Sequence, residues 1–227
     1  MRGLFVTGTD TGVGKTVLAA SIVAALRAAG EPVLPLKPVL SGLDEPSDPH
    51  WPRDHELLAR AGGTEPDAVA MIRYGPAVSP HLAAELAGQP IDPAALRDRI
   101  RAVASGHGTV VVEGVGGLLV PLAPGYDVRE LARDLELPLV IAARTGLGTI
   151  NHTLLTLEAA RSAGLDVAAV VLTPWPEAPS TVERSNRETI ARLGGVAVST
   201  LPRVLNADPE HLAASGATLP ITGWLRS

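Results

Sequence analysis

The chain has 227 residues, of which 46% are hydrophobic and 19% are charged, a balance typical of a folded globular protein and unlike that of a disordered one. A formal net charge of -5 and an aromatic content of 3% do not suit a nucleic-acid surface, which needs a basic field and stacking rings, so we expect no nucleic-acid partner. The absence of cysteine excludes disulfides, thiolate metal sites and cysteine nucleophiles.

The first residues and the apolar runs bear on location and domain organisation. Residues 1–7 are apolar for too short a stretch to form a signal-peptide core, and no apolar run approaches the length of a membrane span. We therefore expect a cytoplasmic protein with no membrane partner. Because α/β folds of this length are often one unit, residues 1–227 are predicted to form a single domain.

Six short runs of apolar, mostly β-branched residues predict β-strands. They are Leu4 to Thr7, Val33 to Lys37, Thr109 to Glu113, Leu139 to Ala143, Val167 to Leu172 and Val196 to Leu201. These runs do not alternate with polar residues, as expected of strands buried on both faces, and the helical patterns between them imply parallel crossovers. The predicted fold class is α/β: a doubly wound, mostly parallel sheet with helices on both faces.

Alanine-rich helical patterns extend from about residue 14 to Ala29 and from about Thr149 to Ala163. Gly30 and Gly164 follow them and suit the left-handed conformation in which many helices end. Further helices are predicted near residues 53–61, 80–87, 93–104, 127–136 and 180–193. Residues 42–53 contain three prolines and three acids, which predicts a surface loop.

The segment from Gly8 to Thr16, Gly-Thr-Asp-Thr-Gly-Val-Gly-Lys-Thr, follows the first predicted strand and opens a helix. In that setting backbone N–H groups and the helix dipole face phosphates, as in a P-loop. Lys15 would reach the β- and γ-phosphates of ATP, and Thr16 would ligate Mg²⁺. Five residues instead of four separate Gly8 from Gly14, so the loop is a variant. The alternative is a glycine-rich turn without a ligand.

Only two lysines, Lys15 and Lys37, stand among 17 arginines. A compact ammonium and a planar guanidinium are not interchangeable, so lysine at these two positions indicates a specific requirement. Lys37 ends the second predicted strand, at the carboxyl edge of the sheet, where ligands bind in folds of this class. The alternative for Lys37 is an ordinary surface lysine with a half-buried stem.

Two carboxylates are candidates for holding Mg²⁺, which in phosphate sites takes one or two carboxylates besides phosphate oxygens and waters. Glu113 ends the third predicted strand and precedes Gly114, Val115, Gly116 and Gly117, where glycines let the backbone approach a phosphate. Asp54 follows the proline-rich loop. It is either a metal ligand or the cap of the next helix.

Two other segments have features of a binding site. Residues 146–151, Gly-Leu-Gly-Thr-Ile-Asn, lead from the fourth predicted strand into a helix, so their amides either hold a second anion or form a plain capped turn. The stretch from His55 to Ala59, His-Glu-Leu-Leu-Ala, lacks the second histidine of a zinc-protease helix and is excluded as a metal site.

Together these segments resemble the dethiobiotin synthetase family. The resemblance rests on the variant P-loop, Lys37-Pro38-Val39 with Ser41-Gly42, Ser79-Pro80-His81, Glu113-Gly114 with Gly116-Gly117, and Leu147-Gly148 with Ile150-Asn151-His152. These five segments run in order from residue 8 to His152, and the resemblance extends to about residue 202. A match in five segments is far more specific than a P-loop alone.

The resemblance implies a homodimeric ligase of biotin biosynthesis that uses Mg²⁺ and ATP to convert 7,8-diaminononanoate and CO₂ into dethiobiotin, ADP and phosphate. One amine takes up CO₂ as a carbamate, and a carbamate oxygen attacks the γ-phosphate to give a carbamic–phosphoric anhydride. The second amine then closes the ureido ring with loss of phosphate. Such chemistry needs charge neutralisation at the phosphoryl group and close positioning of the reactants.

The resemblance also implies roles for individual residues. Lys15, Lys37 and Thr11 would take part in catalysis, and Thr16, Asp54 and Glu113 would hold Mg²⁺. Substrate contacts would come from Ser41 and, from the partner subunit around the substrate's carboxylate tail, from Gly146, Leu147, Gly148, Thr149 and Asn151. ATP would contact Gly12, Val13, Gly14, Lys15, Thr16, Val17, Asp54, Glu113, Gly114, Val115, Gly116, Thr173, Pro174, Leu201 and Pro202.

One position departs from the family pattern. Well-known members of that family carry asparagine after the fifth strand, where this chain has Thr173-Pro174-Trp175. Asparagine can donate to and accept from a base edge together, whereas threonine has one hydroxyl and proline has no backbone N–H. The sequence therefore predicts weak discrimination between nucleotide bases.

Two other protein classes share parts of this pattern. Dimeric partition or septum-positioning ATPase switches carry a second lysine five residues before the P-loop lysine, and here that position is Asp10. Corrin amide-forming synthetases add a glutamine amidotransferase domain with a cysteine nucleophile, and this chain has neither the cysteine nor the length. The ATPase switch remains the alternative function.

Overall fold

A parallel β-sheet lies at the centre of the computed structural model, which describes residues 1–49 and 51–225. The strands are β1 Gly3–Gly8, β2 Val33–Leu36, β3 Val39–Leu40, β4 Ile72–Arg73, β5 Thr109–Glu113, β6 Pro121–Ala123, β7 Tyr126–Asp127, β8 Leu139–Ala143, β9 Val167–Trp175 and β10 Val198–Pro202. Six of them form the main sheet in the order β10-β9-β8-β1-β5-β2, with every neighbouring pair parallel. The α/β prediction is confirmed.

Helices connect the strands and cover the sheet. They are α1 Lys15–Ala28, α2 Asp54–Gly62, α3 Pro66–Val69, α4 Pro80–Ala87, α5 Pro93–Ala104, α6 Val128–Leu135, α7 Thr149–Ser162, α8 Thr181–Gly194, α9 Pro209–Gly216 and α10 Ile221–Trp224. Among the described residues, none of these helices combines the length and the apolar content that crossing a bilayer requires.

Alternate residues of the central strands pack into opposite layers. Leu4 and Val6 belong to a hydrophobic cluster that includes Leu18 of α1, whereas Phe5 belongs to a second cluster that includes Ile100 of α5. All of these side chains are fully buried. Because β1 is covered by helices on both faces, it has no solvated side on which polar residues could alternate.

The predicted elements agree with the observed ones except at some ends and in short segments. The strand predicted from Val196 begins at Val198, because Gly195 adopts a left-handed φ of 53° at the end of α8. Gly30 and Gly164 have φ of 82° and 72°, which confirms them as left-handed residues after helices. The sequence did not predict α3, α9, α10 or the pairs β3–β4 and β6–β7.

Helices α1 and α9 pack closely against each other beside the sheet. A Cβ atom on Gly216 of α9 would overlap the backbone carbonyl oxygen of Ser21 in α1. Glycine is therefore required here by helix packing, since only hydrogen fits between the two backbones. The contact holds the C-terminal region against the helix that opens at the P-loop.

The proline-rich segment 42–53 has no helix or strand in its described residues, which confirms the loop prediction there; His50 lies outside the described residues. Backbone N–H groups of Gly42 and Asp44 donate to the carbonyl oxygens of Pro76 and Gly75 at 3.0 and 2.8 Å. The start of the loop is thereby tied to the segment that leads into α4.

Candidate active site

The carboxyl ends of the central strands meet around one cavity. Because the strands are parallel and in register, with Val6 opposite Glu113 and Gly8 opposite Ala142, the segments that follow them emerge at the same edge. The cavity has a volume of about 630 Å³. Its lining includes the predicted site residues Thr11, Gly12, Gly14, Lys15, Thr16, Val17, Lys37, Ser41, Asp54, Glu113, Val115 and Gly116.

The P-loop wraps the start of α1. Gly12 and Gly14 have φ of 70° and 93°, left-handed conformations that favour glycine. Gly14 caps α1 without a side-chain hydrogen bond to the first turn, as an anion-binding helix N-terminus requires. Lys15 Nζ donates to the Asp10 carbonyl oxygen at 2.8 Å, which holds the ammonium under the crest of the loop. Burial lowers the pKa of Lys15, and the charge of Lys37 adds to that effect.

Lys37 lies between two carboxylates. Its Nζ donates to Glu113 Oε1 at 2.7 Å and also to Asp54 Oδ2. Lys37 is 3% exposed and Glu113 1%, whereas the Asp54 side chain is 44% exposed toward the cavity that it lines. The surface-lysine interpretation is therefore wrong. The helix-cap interpretation of Asp54 is also wrong, because Arg53 is the cap residue of α2.

The pKa values of this triad follow from burial and mutual attraction. Burial alone would lower the pKa of Lys37, but the negative charges of Glu113 and Asp54 outweigh this effect and hold the pKa above its usual value. Burial raises the pKa of Glu113, and Lys37 offsets the rise only in part. At Asp54, Lys37 outweighs burial and the pKa lies below its usual value. With all three groups ionised, two carboxylates and one ammonium leave one negative charge at the edge of the phosphate loop.

The oxygen atoms around Glu113 fit a bound Mg²⁺. Thr16 Oγ1 donates to Glu113 Oε1 at 2.8 Å. Asp54 lies close to Glu113, because both carboxylates contact the Lys37 ammonium. Glu113 Oε2 is buried and has no hydrogen-bond partner. An unpaired buried carboxylate oxygen is costly unless a cation or donor satisfies it. Among the described residues, no group of three or more His, Cys, Asp or Glu side chains could hold a metal ion.

The other wall of the cavity joins Ser41 to the start of α4. Ser41 Oγ donates its hydrogen to the Val78 carbonyl oxygen at 2.9 Å. The hydroxyl therefore keeps only lone pairs for a ligand. Val78, Ser79 and Pro80 line the cavity beside it, so the first two residues of the Ser79-Pro80-His81 segment belong to the site, whereas His81 is not among the lining residues.

Some predicted nucleotide contacts face the core instead. The Val13 side chain is buried in the hydrophobic cluster around α1, so only its backbone faces the loop. A Cβ atom on Gly114 would meet Val128 Cγ1 at 2.9 Å and Phe5 Cε1 at 3.1 Å. Packing, rather than approach to a phosphate, accounts for Gly114. Thr173 is buried beside the P-loop, where a Cβ atom on Gly14 would meet its Cγ2 at 2.9 Å.

The strand ends of β9 and β10 carry the rest of the predicted base contacts. Thr173 and Pro174 belong to β9, and Leu201 and Pro202 belong to β10, with Pro202 paired to Trp175. Leu201 is fully buried and Pro202 is exposed. All four lie at the same edge of the sheet as the P-loop but outside the lining of the cavity.

The predicted tail-binding turn lies apart from the cavity. Gly146, Leu147, Gly148, Thr149 and Asn151 are not among its lining residues. Leu147 is 91% exposed, and Gly148 starts α7 with a φ of 87° and no side-chain cap. The Thr149 N–H donates to the Gly146 carbonyl oxygen at 3.3 Å, so the turn closes on itself through a backbone hydrogen bond and has no side-chain cap.

Arg144 and Asn186, which the sequence did not single out, support the site together with Asp10 of the P-loop segment. Arg144 Nη2 donates to the Thr11 carbonyl oxygen at 3.2 Å, Asp10 Oδ1 accepts from the Thr11 N–H at 2.7 Å, and Asn186 Nδ2 donates to the carbonyl oxygens of Thr145 and Gly146 at 2.9 and 3.2 Å. Each contact except that of Asp10 joins residues far apart in the chain. A motif search carries no signal for them.

The doubly wound sheet, the loop before α1 and the cavity with its two buried lysines define a P-loop nucleotide-binding protein. A family profile described as an AAA domain matches residues 2–210. The chain is 40% identical to the ATP-dependent dethiobiotin synthetase BioD of Haloferax mediterranei, over 92% of this chain and 87% of that protein. It is 39% identical to the protein of the same name from Rhodococcus jostii, over 100% of this chain and 98% of that protein. The chain belongs to the dethiobiotin synthetase family.

A solved structure of a ParA family ATPase from Chlorobium tepidum is similar with a TM-score of 0.54 and 16% identity, covering 97% of this chain and 92% of that chain. At this identity the similarity extends to the fold alone. At position 10, where the ATPase switches considered above carry lysine, this chain has a carboxylate.

Proposed function

We propose that this chain is an ATP-dependent dethiobiotin synthetase, a cyclo-ligase of biotin biosynthesis that converts 7,8-diaminononanoate, CO₂ and ATP into dethiobiotin, ADP and phosphate. The observation that carries the proposal is the Lys37 ammonium, buried beside the P-loop between Glu113 and Asp54 in a family of that name. The proposal assigns residues 1–227 to one ligase domain.

ATP is held mainly through its phosphates. The left-handed glycines and the uncapped start of α1 present N–H groups to the β- and γ-phosphates, and Lys15 adds a buried ammonium. Thr173 and Pro174 of β9 and the end of β10 would lie against the base. Thr173 supplies a single hydroxyl there.

In the proposed enzyme, Thr16, Asp54 and Glu113 would hold Mg²⁺. The unpartnered Glu113 Oε2 and the Thr16 hydroxyl support this assignment. When bound, Mg²⁺ supplies neutralisation of the phosphate charge. The protein's contribution is to fix these oxygens on three separate elements, at the start of α1, the start of α2 and the end of β5.

The remaining groups act on the diamine and its carbamate. Ser41, whose hydrogen is committed to Val78, would accept a hydrogen bond from an amine and orient it for CO₂ uptake. Lys37 and Lys15 would neutralise the carbamate and the γ-phosphate as the carbamate oxygen attacks, with Thr11 at the crest of the loop contacting the carbamate. The second amine then closes the ring and releases phosphate.

The proposed enzyme is a homodimer whose partner completes each site. The carboxylate tail of the substrate needs donors, and α7 begins at Gly148 without a side-chain cap from its own chain. The nearly fully exposed Leu147 and the exposed Leu155 of α7 give the same region an apolar surface that a second copy would cover.

Phosphate release from ATP tests the function. We expect release that depends on both diaminononanoate and bicarbonate and is accompanied by dethiobiotin in equal amount. Release from ATP alone at the same rate, with no dethiobiotin, would instead indicate an ATPase switch.

A further inference from the structure

The Lys37 ammonium and the proposed Mg²⁺ would both bind the carboxylates of Glu113 and Asp54. The Lys37 ammonium contacts Glu113 Oε1 at 2.7 Å and also contacts Asp54, the residues assigned above to Mg²⁺. Glu113 Oε1 additionally accepts from Thr16 at 2.8 Å. One oxygen of each carboxylate is therefore engaged by Lys37, and Glu113 Oε1 is also engaged by the third proposed ligand, whereas Glu113 Oε2 has no hydrogen-bond partner.

Geometry and charge oppose simultaneous occupation. Mg²⁺ requires near-octahedral oxygen ligands at about 2.0–2.1 Å, and it accepts little distortion. An ammonium hydrogen-bonded to the same two carboxylates would lie within a few ångströms of the metal, where like charges in a poorly solvated site repel strongly. Lys37 and Glu113 are both buried, so water cannot screen that repulsion.

We propose that Lys37 and Mg²⁺ are mutually exclusive partners of the Glu113–Asp54 carboxylate pair, so that metal binding turns the Lys37 ammonium toward Ser41 and Thr11. This inference rests on the proposed function and its metal site. The lysine stem is anchored after β2, and Ser41 and Thr11 line the cavity into which the ammonium would move.

The exchange couples metal loading to catalysis. Before the metal binds, Lys37 neutralises two carboxylates that would otherwise repel each other at a buried position. After the metal binds, those carboxylates remain neutralised, and the ammonium is available to the carbamate and the γ-phosphate. The catalytic lysine would thus engage the substrate only when the nucleotide site is complete.

The lysine signals of the wild-type protein test the exchange. The chain has two lysines, so protein labelled with ¹³Cε-lysine gives two side-chain signals, assigned from a spectrum of Lys37→Arg. We expect ADP without metal to shift the Lys15 signal. Adding Mg²⁺ should then shift the Lys37 signal with the same midpoint as Mg²⁺ binding measured by calorimetry.

Two outcomes overturn the inference in distinguishable ways. Calorimetric Mg²⁺ binding with a stationary Lys37 signal contradicts the exchange and leaves the proposed metal site intact. If no Mg²⁺ binding is measurable with ADP at millimolar concentrations, the proposed metal site itself fails and the exchange fails with it.

Variants give a second measurement, with Mn²⁺ as the paramagnetic probe in the presence of ADP. Removing the competing ammonium in Lys37→Gln should tighten Mn²⁺ binding by at least about fivefold. In the wild-type protein the lysine must first leave the carboxylates before the metal can bind, and in the variant this cost is absent. Arg192→Gln removes one positive charge at an exposed position of α8, outside the lining of the cavity, and we expect a change below about twofold. Unchanged or weaker binding in a folded Lys37→Gln protein contradicts the exchange, and the lysine spectra remain decisive if that variant does not fold.

Discussion

Lys15 and Lys37 are both buried, but different groups compensate their charges. Lys15 donates to a backbone carbonyl, and burial lowers its pKa. Lys37 contacts two carboxylates, and their attraction raises its pKa above the usual value. The cavity therefore presents two ammonium groups to the phosphates and the substrate. Each ammonium has different hydrogen-bond partners, which fits separate roles for the two lysines.

Replacement of Lys37 by arginine retains the charge and changes the shape. A planar guanidinium does not fit where a compact ammonium contacts Glu113 and Asp54 and must also reach the substrate. We expect Lys37→Arg to lower kcat by about a hundredfold or more, the usual scale for loss of a transition-state donor, while ATP binding persists. Steady-state kinetics and nucleotide titration measure the two quantities.

The matched control is Arg192→Lys, the reverse exchange at an exposed position of α8. It should retain wild-type turnover. Activity of Lys37→Arg within a few-fold of wild type would remove Lys37 from the mechanism.

Thr173 bears on base selectivity because it is buried beside Gly14 of the P-loop. One hydroxyl cannot make the paired hydrogen bonds that an amide makes to adenine, a loss of about 1–3 kcal/mol in discrimination. We expect GTP and CTP to support turnover with kcat/KM within about a hundredfold of ATP. A preference for ATP above about a thousandfold would mean that another group reads the base.

The contact between α1 and α9 is an element-scale constraint on the fold. Because a Cβ atom on Gly216 would overlap the Ser21 carbonyl oxygen, Gly216→Ala must push the two helices apart. We expect the free energy of unfolding to fall by about 1–3 kcal/mol, the typical cost of overpacking. Urea unfolding measures this difference.

Gly223→Ala is the control for that substitution. Gly223 lies in the short helix α10, where nothing stands within 4 Å of an added Cβ atom. The two exchanges are chemically identical, so equal unfolding free energies in both variants would show that the α1–α9 contact is not tight.

At the scale of the whole molecule, a site shared between two copies allows complementation. In the proposed enzyme, Lys37→Ala would inactivate the site on its own chain, and the bulky side chain in Gly148→Phe would block the turn that the chain offers to its partner. In a mixed dimer one of the two sites then combines an intact lysine with an intact turn. Random exchange of equal amounts should restore about a quarter of wild-type activity, because half of the dimers are mixed.

Subunit exchange itself is followed by mass spectrometry of the intact dimers. Demonstrated exchange without recovered activity would contradict the shared site. Exclusively monomeric protein at the assay concentration would contradict the homodimer.

Local patterns in the sequence determined much of the fold and part of the site. Buried strands, helical patterns and glycine ends predicted the six strands of the main sheet. Since parallel strands share one carboxyl edge, the positions of Lys15, Lys37 and Glu113 at strand ends and loops implied that they meet. The cavity that they line bears out this geometric inference, while their catalytic roles remain proposals.

Only the tertiary structure decided which of several local interpretations holds. Asp54 reads equally as a cap or a ligand until Lys37, 17 residues earlier in the chain, is seen beside it. The sequence predicted that Gly114 lets the backbone approach a phosphate and made no prediction for Gly216, whereas packing against Phe5 and Ser21 is what requires these two glycines. These outcomes depend on contacts between residues distant in sequence, which short-range patterns of burial and hydrogen bonding do not encode.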